Sequence, residues 1–151
     1  MRRRRANRNF RSRAAVVLAA VTGLSLLGGP AEATPPGPGV TGKILWQRTV
    51  GDHDLVFREI HLPAGQSTGW HTHDGNLYAV VRKGTLSHFE SDCEPDGVYR
   101  TGSFVFEPGG ATHVHIGRNL GGTEVILDVL YVLPHGAPLS EDAPNPGCPF
   151  Q

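Results

Sequence analysis

The sequence predicts a single all-β domain, built as a sandwich or a small barrel, and three observations indicate this class. Short runs rich in β-branched and aromatic residues recur along the chain, Gly, Pro and Asp turn residues separate them, and no long segment shows helical periodicity. The predicted strands read KILWQRTV, DLVFREIHL, LYAVV, TLSHFE, SFVFE, THVHI and TEVILDVLYVL. Strands at this spacing are typical of sandwiches and small barrels, and no internal repeat is visible.

The first 33 residues predict an export signal. Residues 1–13 hold seven arginines and no acid, residues 14–27 are an apolar run, and the small-residue stretch GGPAEA predicts cleavage after Ala33. The apolar run is shorter than the about 18 to 20 residues of a spanning helix, which disfavours a retained membrane anchor. We therefore expect a secreted, extracellular protein. Paired arginines leave twin-arginine export open beside the general secretory route.

The net charge of the mature chain limits the classes of partner that we expect it to bind. Cleavage would remove seven of the 14 basic residues and one of the 14 acidic residues, which leaves a net charge of −6. Binding to nucleic acid or to anionic membranes draws its affinity from Lys and Arg. We expect neither as a partner, and the acidic balance is mildly favourable for a cation.

The mature chain divides into three parts. Residues 34–42 are a Pro/Gly leader, residues 43–133 hold the predicted β domain, and residues 134–151 are a Pro-rich tail. The two cysteines, Cys93 and Cys148, lie in an acidic loop and in this tail. In an exported chain they predict a disulfide, with two free thiols or a thiolate metal site as the alternative.

Histidine spacing is the main functional signal. All eight histidines lie after residue 33, and His71 and His73 alternate in front of an apolar run. On a strand such residues point to one face roughly 6.6 Å apart, so both rings can converge on one ion. This pattern also fits ordinary solvated or core histidines, and HVH at 113–115 repeats it.

The spacing of the surrounding glycines gives the histidines a context. Two motifs follow each other, Gly65-x5-His71-x-His73-x10-Gly84 and Gly102-x5-Pro108-x-Gly110-x2-His113. Together they resemble the two motifs of the cupin family over residues 43–133. The resemblance implies a double-stranded β-helix, or jelly-roll barrel, with a metal bound by His71, His73 and His113.

The chain departs from the family pattern at two positions. The acid usual four residues after the second histidine is Leu77, so the expected site has three histidines and no carboxylate, as in cysteine dioxygenase-like cupins. The asparagine usual four residues after the third histidine is Gly117, and Asn119 is displaced from that position.

The family register also predicts which side chains line the barrel. Leu77, Ala79 and Val81 should face inward, joined by Phe104 or Phe106, while Tyr78, Val80 and Arg82 should face outward.

The other histidines, one acid and the two tryptophans leave alternatives open. His115 could enter the site as a fourth ligand or a base, or lie at the barrel mouth without metal contact. Glu107 could be a cavity-rim acid, although a solvated strand-end acid is the commoner outcome. His61 and His88 could face the cavity or the surface, and His53 and His135 fit loops. Trp46 and Trp70 are expected to be packing residues, with Trp70 on the outer face.

These features predict one bound divalent transition metal, chosen among Zn, Cu, Mn, Fe and Ni by availability. The leading hypothesis is a metal-dependent, dioxygenase-like enzyme acting on a small organic molecule. The alternative is a cupin that binds a metal or a small ligand without turnover, since binding needs shape whereas catalysis needs a positioned acid, base or open metal. By resemblance, a homodimer is also expected.

Overall fold

A computed structural model describes residues 33–151, so the predicted export signal before Ala33 lies outside the described residues. The chain forms two five-stranded antiparallel sheets, which confirms the jelly-roll prediction. The strands are β1 (Thr41–Val50), β2 (His53–Leu62), β3 (His71–Thr72), β4 (Asn76–Lys83), β5 (Thr85–Glu90), β6 (Pro95–Arg100), β7 (Phe104–Glu107), β8 (His115–Arg118), β9 (Val125–Pro134) and β10 (Glu141–Asp142). The first sheet has the order β1-β2-β9-β4-β7, and the second has the order β10-β3-β8-β5-β6.

The core lies between the two sheets and follows from alternation along the strands. In β9 every second residue from Val125 to Leu133 is buried, and in β4 the buried residues are Leu77, Ala79 and Val81. Because successive strand residues point to opposite faces, the residues between them face outward. The predicted inward and outward sets of β4 are confirmed.

Strand β7 turns the opposite face to the core from the one that we predicted. Phe104 and Phe106 are exposed, while Val105 is buried. The reason is the pairing with β4, which sets Val105 opposite the inward-facing Ala79. The prediction that Phe104 or Phe106 lines the inner wall is therefore wrong.

A second apolar cluster lies on the outer face of the second sheet, under the tail. Trp70 is fully buried there and stacks on Phe150 with ring centroids 6.0 Å apart. The predicted disulfide between Cys93 and Cys148 is present and holds the tail over this cluster. Trp46, by contrast, lies half exposed on the edge strand β1.

Three strands contain residues that the sequence patterns assigned to loops or left unassigned. The PDGVYR segment forms β6, although its first residues are turn formers, because it pairs with β5 as a hairpin. The tail contributes β10, which pairs with β3, and β1 begins at Thr41, inside the segment read as a leader.

The turn after β9 is tied to β2 by one carboxylate. Asp54 accepts hydrogen bonds from the Gly136 backbone N–H, the Thr49 hydroxyl and the His135 ring. These bonds, with the Gly136 N–H first, lower the pKa of the Asp54 carboxyl below its usual value. Asp54 is thus an anion that holds three segments together.

Residues 33–151 contain no helix long and apolar enough to be a membrane-span candidate.

Candidate metal centre

Three histidine rings meet inside the barrel at the end of the paired strands β3 and β8. His71 is paired directly with His115, and His73 follows two residues after His71. The ring centroids of these three residues are 4.4 to 5.2 Å apart, and the residues are 9% (His71), 3% (His73) and 0% (His115) exposed. The His-x-His pair on one strand and the partner across the ladder therefore converge in the interior.

The backbone fixes the tautomer of each ring. The Nδ1 atoms of His71, His73 and His115 lie 2.8, 2.7 and 3.0 Å from the carbonyl oxygens of Gly69, Leu139 and His113. A carbonyl accepts but cannot donate, so each Nδ1 carries the proton. In a neutral ring Nε2 then carries the lone pair, and the Nε2 atoms of His73 and His115 are buried without a hydrogen-bond partner. This is the arrangement of metal-binding imidazoles.

Burial keeps the first of these rings neutral. Burial lowers the pKa of His71 to about 3, and the neighbouring rings of His115 and His73 oppose a positive charge further. A neutral imidazole is the form that binds a metal.

A partly buried carboxylate completes the group. Glu107 Oε2 lies 3.4 Å from Nε2 of both His73 and His115. Burial alone would raise the pKa of the Glu107 carboxyl, but the facing histidines lower it well below its usual value, so it is an anion. Ligand atoms of His71, His73, His115 and Glu107 all lie within 4.8 Å of one another. With neutral, metal-free rings the Nε2 lone pairs of His73 and His115 would face this carboxylate, and a shared cation would stabilise that arrangement, which is the fit expected of a metal site.

The position of Glu107 compensates for the leucine in the first motif. Leu77 stands where the acid was expected, and Glu107 is paired with it across the β4–β7 ladder. Directly opposite residues share a face, so the acid reaches the same inner wall from the neighbouring strand. The expectation of a site without carboxylate does not describe this geometry, and Glu107 is a cavity residue and not a solvated strand-end acid.

His88 lies behind Glu107. It is 1% exposed, its Nδ1 is 2.7 Å from Asp96 and its Nε2 is 3.3 Å from Glu107 Oε1. Burial opposes a charge on His88, but the two carboxylates raise its pKa to about 9. With its pKa raised, the His88 ring carries a proton on both nitrogens, so it places a positive charge beside Glu107 and has no lone pair for a metal.

His113 lies outside the group. It precedes β8, and its Nε2 is 3.0 Å from the Glu90 carboxylate. His115 occupies the inner position instead, two residues later. The remaining three histidines bind surface carboxylates: His61 binds Glu59 and Glu124, while His53 and His135 bind Asp52 and Asp54.

Counting from His115 also changes the second motif. Asn119 follows His115 by four residues, which is the asparagine spacing of the resembled family. Its buried side chain donates to the backbone oxygens of Leu62 and Thr123 and accepts from the Gly121 N–H. It therefore fixes the loop between β8 and β9. An insertion of two residues before the histidine is the signal that would have found both His115 and Asn119.

The group of His71, His73, His115 and Glu107 opens onto a small, largely apolar cavity. Its walls include Leu77, Ala79, Val105, Leu127 and Val129, and Tyr131 lies beside the His73 ring. Burial raises the pKa of Tyr131 to about 12, so its hydroxyl stays protonated as a hydrogen-bond donor. An apolar lining with a few converging polar groups is typical of a binding site for a small organic molecule.

The tail supports the group from outside the barrel. Strand β10 pairs with β3, where Asp142 lies opposite His71, and the Leu139 carbonyl accepts the His73 hydrogen bond. The disulfide at Cys148 anchors this segment. The tail is thus part of the frame that orients two of the three rings.

No protein-family model and no curated protein match the sequence. Solved structures do match it. A Klebsiella pneumoniae protein with a double-stranded β-helix domain is 20% identical, with a TM-score of 0.54 over 74% of this chain and 90% of that one. A cupin superfamily protein from Desulfitobacterium hafniense is 11% identical, with a TM-score of 0.51 over 64% and 79%. The polyketide cyclase RemF from Streptomyces resistomycificus is 20% identical, with a TM-score of 0.56 over 78% and 84%. At these identities the likeness shows a common fold.

Proposed function

Because the chain has the double-stranded β-helix fold of cupins, we propose that it is a secreted, metal-dependent enzyme acting on a small organic molecule. The observation that carries this proposal is the convergence of three histidines and one partly buried carboxylate, His71, His73, His115 and Glu107, at the wall of an apolar cavity. Imidazole and carboxylate ligands together suit a divalent transition metal such as Zn, Cu, Mn, Fe or Ni. The disulfide supports an extracellular location.

When bound, a divalent transition metal supplies Lewis-acid chemistry and, if redox-active, a route to reactions with dioxygen. The residues of the chain supply orientation and shape. Backbone carbonyls hold the three rings with Nε2 inward, His88 holds Glu107, and the apolar walls exclude water around a bound molecule. The Tyr131 hydroxyl can donate a hydrogen bond to that molecule.

Elemental analysis of residues 34–151, purified from the native exporting host, tests the metal. We expect close to one transition-metal ion per chain, lost in the double variant His71→Ala, His73→Ala. His115→Ala and His113→Ala are a matched pair, since both remove one imidazole from neighbouring positions. His115→Ala should lose the metal and His113→Ala should keep it. Absence of metal from the wild type, or loss in His113→Ala alone, would contradict the proposed ligand set.

The identity of the metal directs the assay of activity. A redox metal calls for an oxygen-consumption screen with small organic molecules, because dioxygenase chemistry is our leading reaction type. Zinc would direct the screen to lyase, cyclase or hydrolytic reactions, which need a Lewis acid.

Binding without turnover is the second candidate function. The mostly apolar lining favours it, because the cavity offers few groups that could move a proton. Saturable binding of a molecule by the metal-loaded protein, without its conversion in any screen, would support this function over catalysis.

A further inference from the structure

A second cavity reaches the metal group from the side of β1 and β2. Its walls include His71, His73, Tyr131 and Arg58. It shares both histidines and Tyr131 with the apolar cavity. A molecule that enters here would meet Arg58 and the metal group within one space.

Arg58 occupies an unusual place for a cation. It lies between Val56 and Ile60 on the inward-facing side of β2, where Val56 is buried in the core and Ile60 packs against it. Across the ladder it is paired with Val129, another core residue. The residue is half-buried. A charge in an apolar row costs free energy unless it finds a partner.

No carboxylate of the described chain is that partner, and a polar neighbour of the guanidinium is the Tyr131 hydroxyl. No salt bridge joins Arg58 to a carboxylate among residues 33–151, whereas the outward-facing Arg82 binds both Glu59 and Asp128. Space for the Arg58 guanidinium is provided by Gly42, where a Cβ atom would overlap its nitrogens. The chain therefore makes room for this cation beside the metal group without neutralising it.

We infer that Arg58 and the Tyr131 hydroxyl form a binding site for the carboxylate of a small organic anion. The guanidinium presents two parallel N–H donors that match the two carboxylate oxygens, and the hydroxyl adds a third donor. The rest of the anion then lies toward His71 and His73. The role of this anion as a substrate rests on the proposed function, whereas its binding does not.

The test uses propanoate and propanamide, which have nearly the same size and differ in charge. Binding to residues 34–151 is measured at constant ionic strength by NMR, from amide shifts and from the Arg58 Nε–H signal, in metal-free and metal-loaded protein. Arg58→Gln removes the charge, and Arg48→Gln makes the same charge change on the exposed strand β1. Arg58→Lys keeps the charge but loses the two parallel N–H donors of the guanidinium. Thermal unfolding checks that each variant is folded.

We expect propanoate to bind in both forms of the wild type and propanamide to bind at least about tenfold more weakly, since charge-assisted bonds are roughly twice as strong as neutral ones. Arg58→Gln should weaken propanoate binding by about tenfold or more, Arg58→Lys should weaken it less, and Arg48→Gln should leave it unchanged. Equal binding of acid and amide by the wild type would overturn the inference even if a variant failed to fold. So would equal propanoate binding by wild type and Arg58→Gln.

The two proposals fail separately. Loss of metal binding with Arg58-dependent propanoate binding retained would overturn the proposed function and leave the anion site standing. Metal binding retained in a protein that shows no binding of propanoate would overturn the anion site alone.

Discussion

Replacing Cys93 and Cys148 by serine should lower the free energy of unfolding by about 4 kcal/mol. The disulfide closes a loop of sequence separation 55, and in the chain-entropy model a loop of this length stabilises the folded state by roughly 4 kcal/mol at 25 °C. The packing of Trp70 against Phe150 remains in the double variant, so the model assigns the loss to the freer unfolded chain.

Urea unfolding of the oxidised wild type and of the double variant measures this difference, with tryptophan fluorescence as the signal. Wild type treated with reductant should unfold at the same urea concentration as the double variant, and the variant itself should not respond to reductant. A loss below about 1 kcal/mol would refute the reasoning, because the loop would then be held by packing and not by the crosslink. The variant should also bind metal more weakly, since the tail, whose Leu139 carbonyl holds the His73 ring, is anchored less firmly without the crosslink.

Three further predictions concern single sites. Asp54→Asn should destabilise the protein at neutral pH in urea titrations. The pKa of this carboxyl is lowered by folding, so its contribution is present above its unfolded pKa of about 3.9 and is lost as the pH falls through the folded-state value. The deficit should therefore vanish in strong acid, and a constant deficit would contradict the assignment. Gly75→Ala should lower the free energy of unfolding by about 1–3 kcal/mol, because a Cβ there overlaps the Val132 carbonyl. Gly122 lies in open space, so Gly122→Ala should change the same free energy by less than about 0.5 kcal/mol. Leu62 is fully buried, so Leu62→Ala should lower the free energy of unfolding by about 2–5 kcal/mol. Leu120 is 58% exposed, so Leu120→Ala should lower it by less than about 0.5 kcal/mol. Similar losses for either matched pair would count against the packing described above.

Much of the fold could be predicted from the sequence because local residue patterns specify it. Alternation in β4 and β9 is strict, so once the register of the resembled family placed Leu77, Ala79 and Val81 inward, the pleat placed the residues between them outward. The disulfide followed from two cysteines in a chain predicted to be exported. Strand β6 escaped prediction, since Pro, Asp and Gly favour turns and become a strand here through pairing with β5.

Only part of the candidate site could be predicted from the sequence. His71 and His73 lie two residues apart next to one strand, so their common direction is a local property. Glu107 reaches the group through the register of two strands that lie far apart in sequence, and its own strand was predicted with the opposite face inward.

His115 shows the same limit more sharply. His113 and His115 lie two residues apart and would share one face of a strand. The spacing of the second motif, counted from Pro108 and Gly110, favoured His113. The residues after Pro108 form turns and an irregular segment until β8 begins at His115, so the ladder pairs that residue, and not His113, with His71.

The sequence by itself determined the all-β class, the alternating core, the disulfide and a histidine pair suited to a metal. The tertiary structure alone decided that His115 and Glu107 join that pair, that His88 lies against the acid, and that Arg58 faces the same space with no carboxylate partner among residues 33–151. The physical reason is that local patterns fix which face of a strand a side chain occupies. Strand register fixes which side chains from distant segments meet on that face.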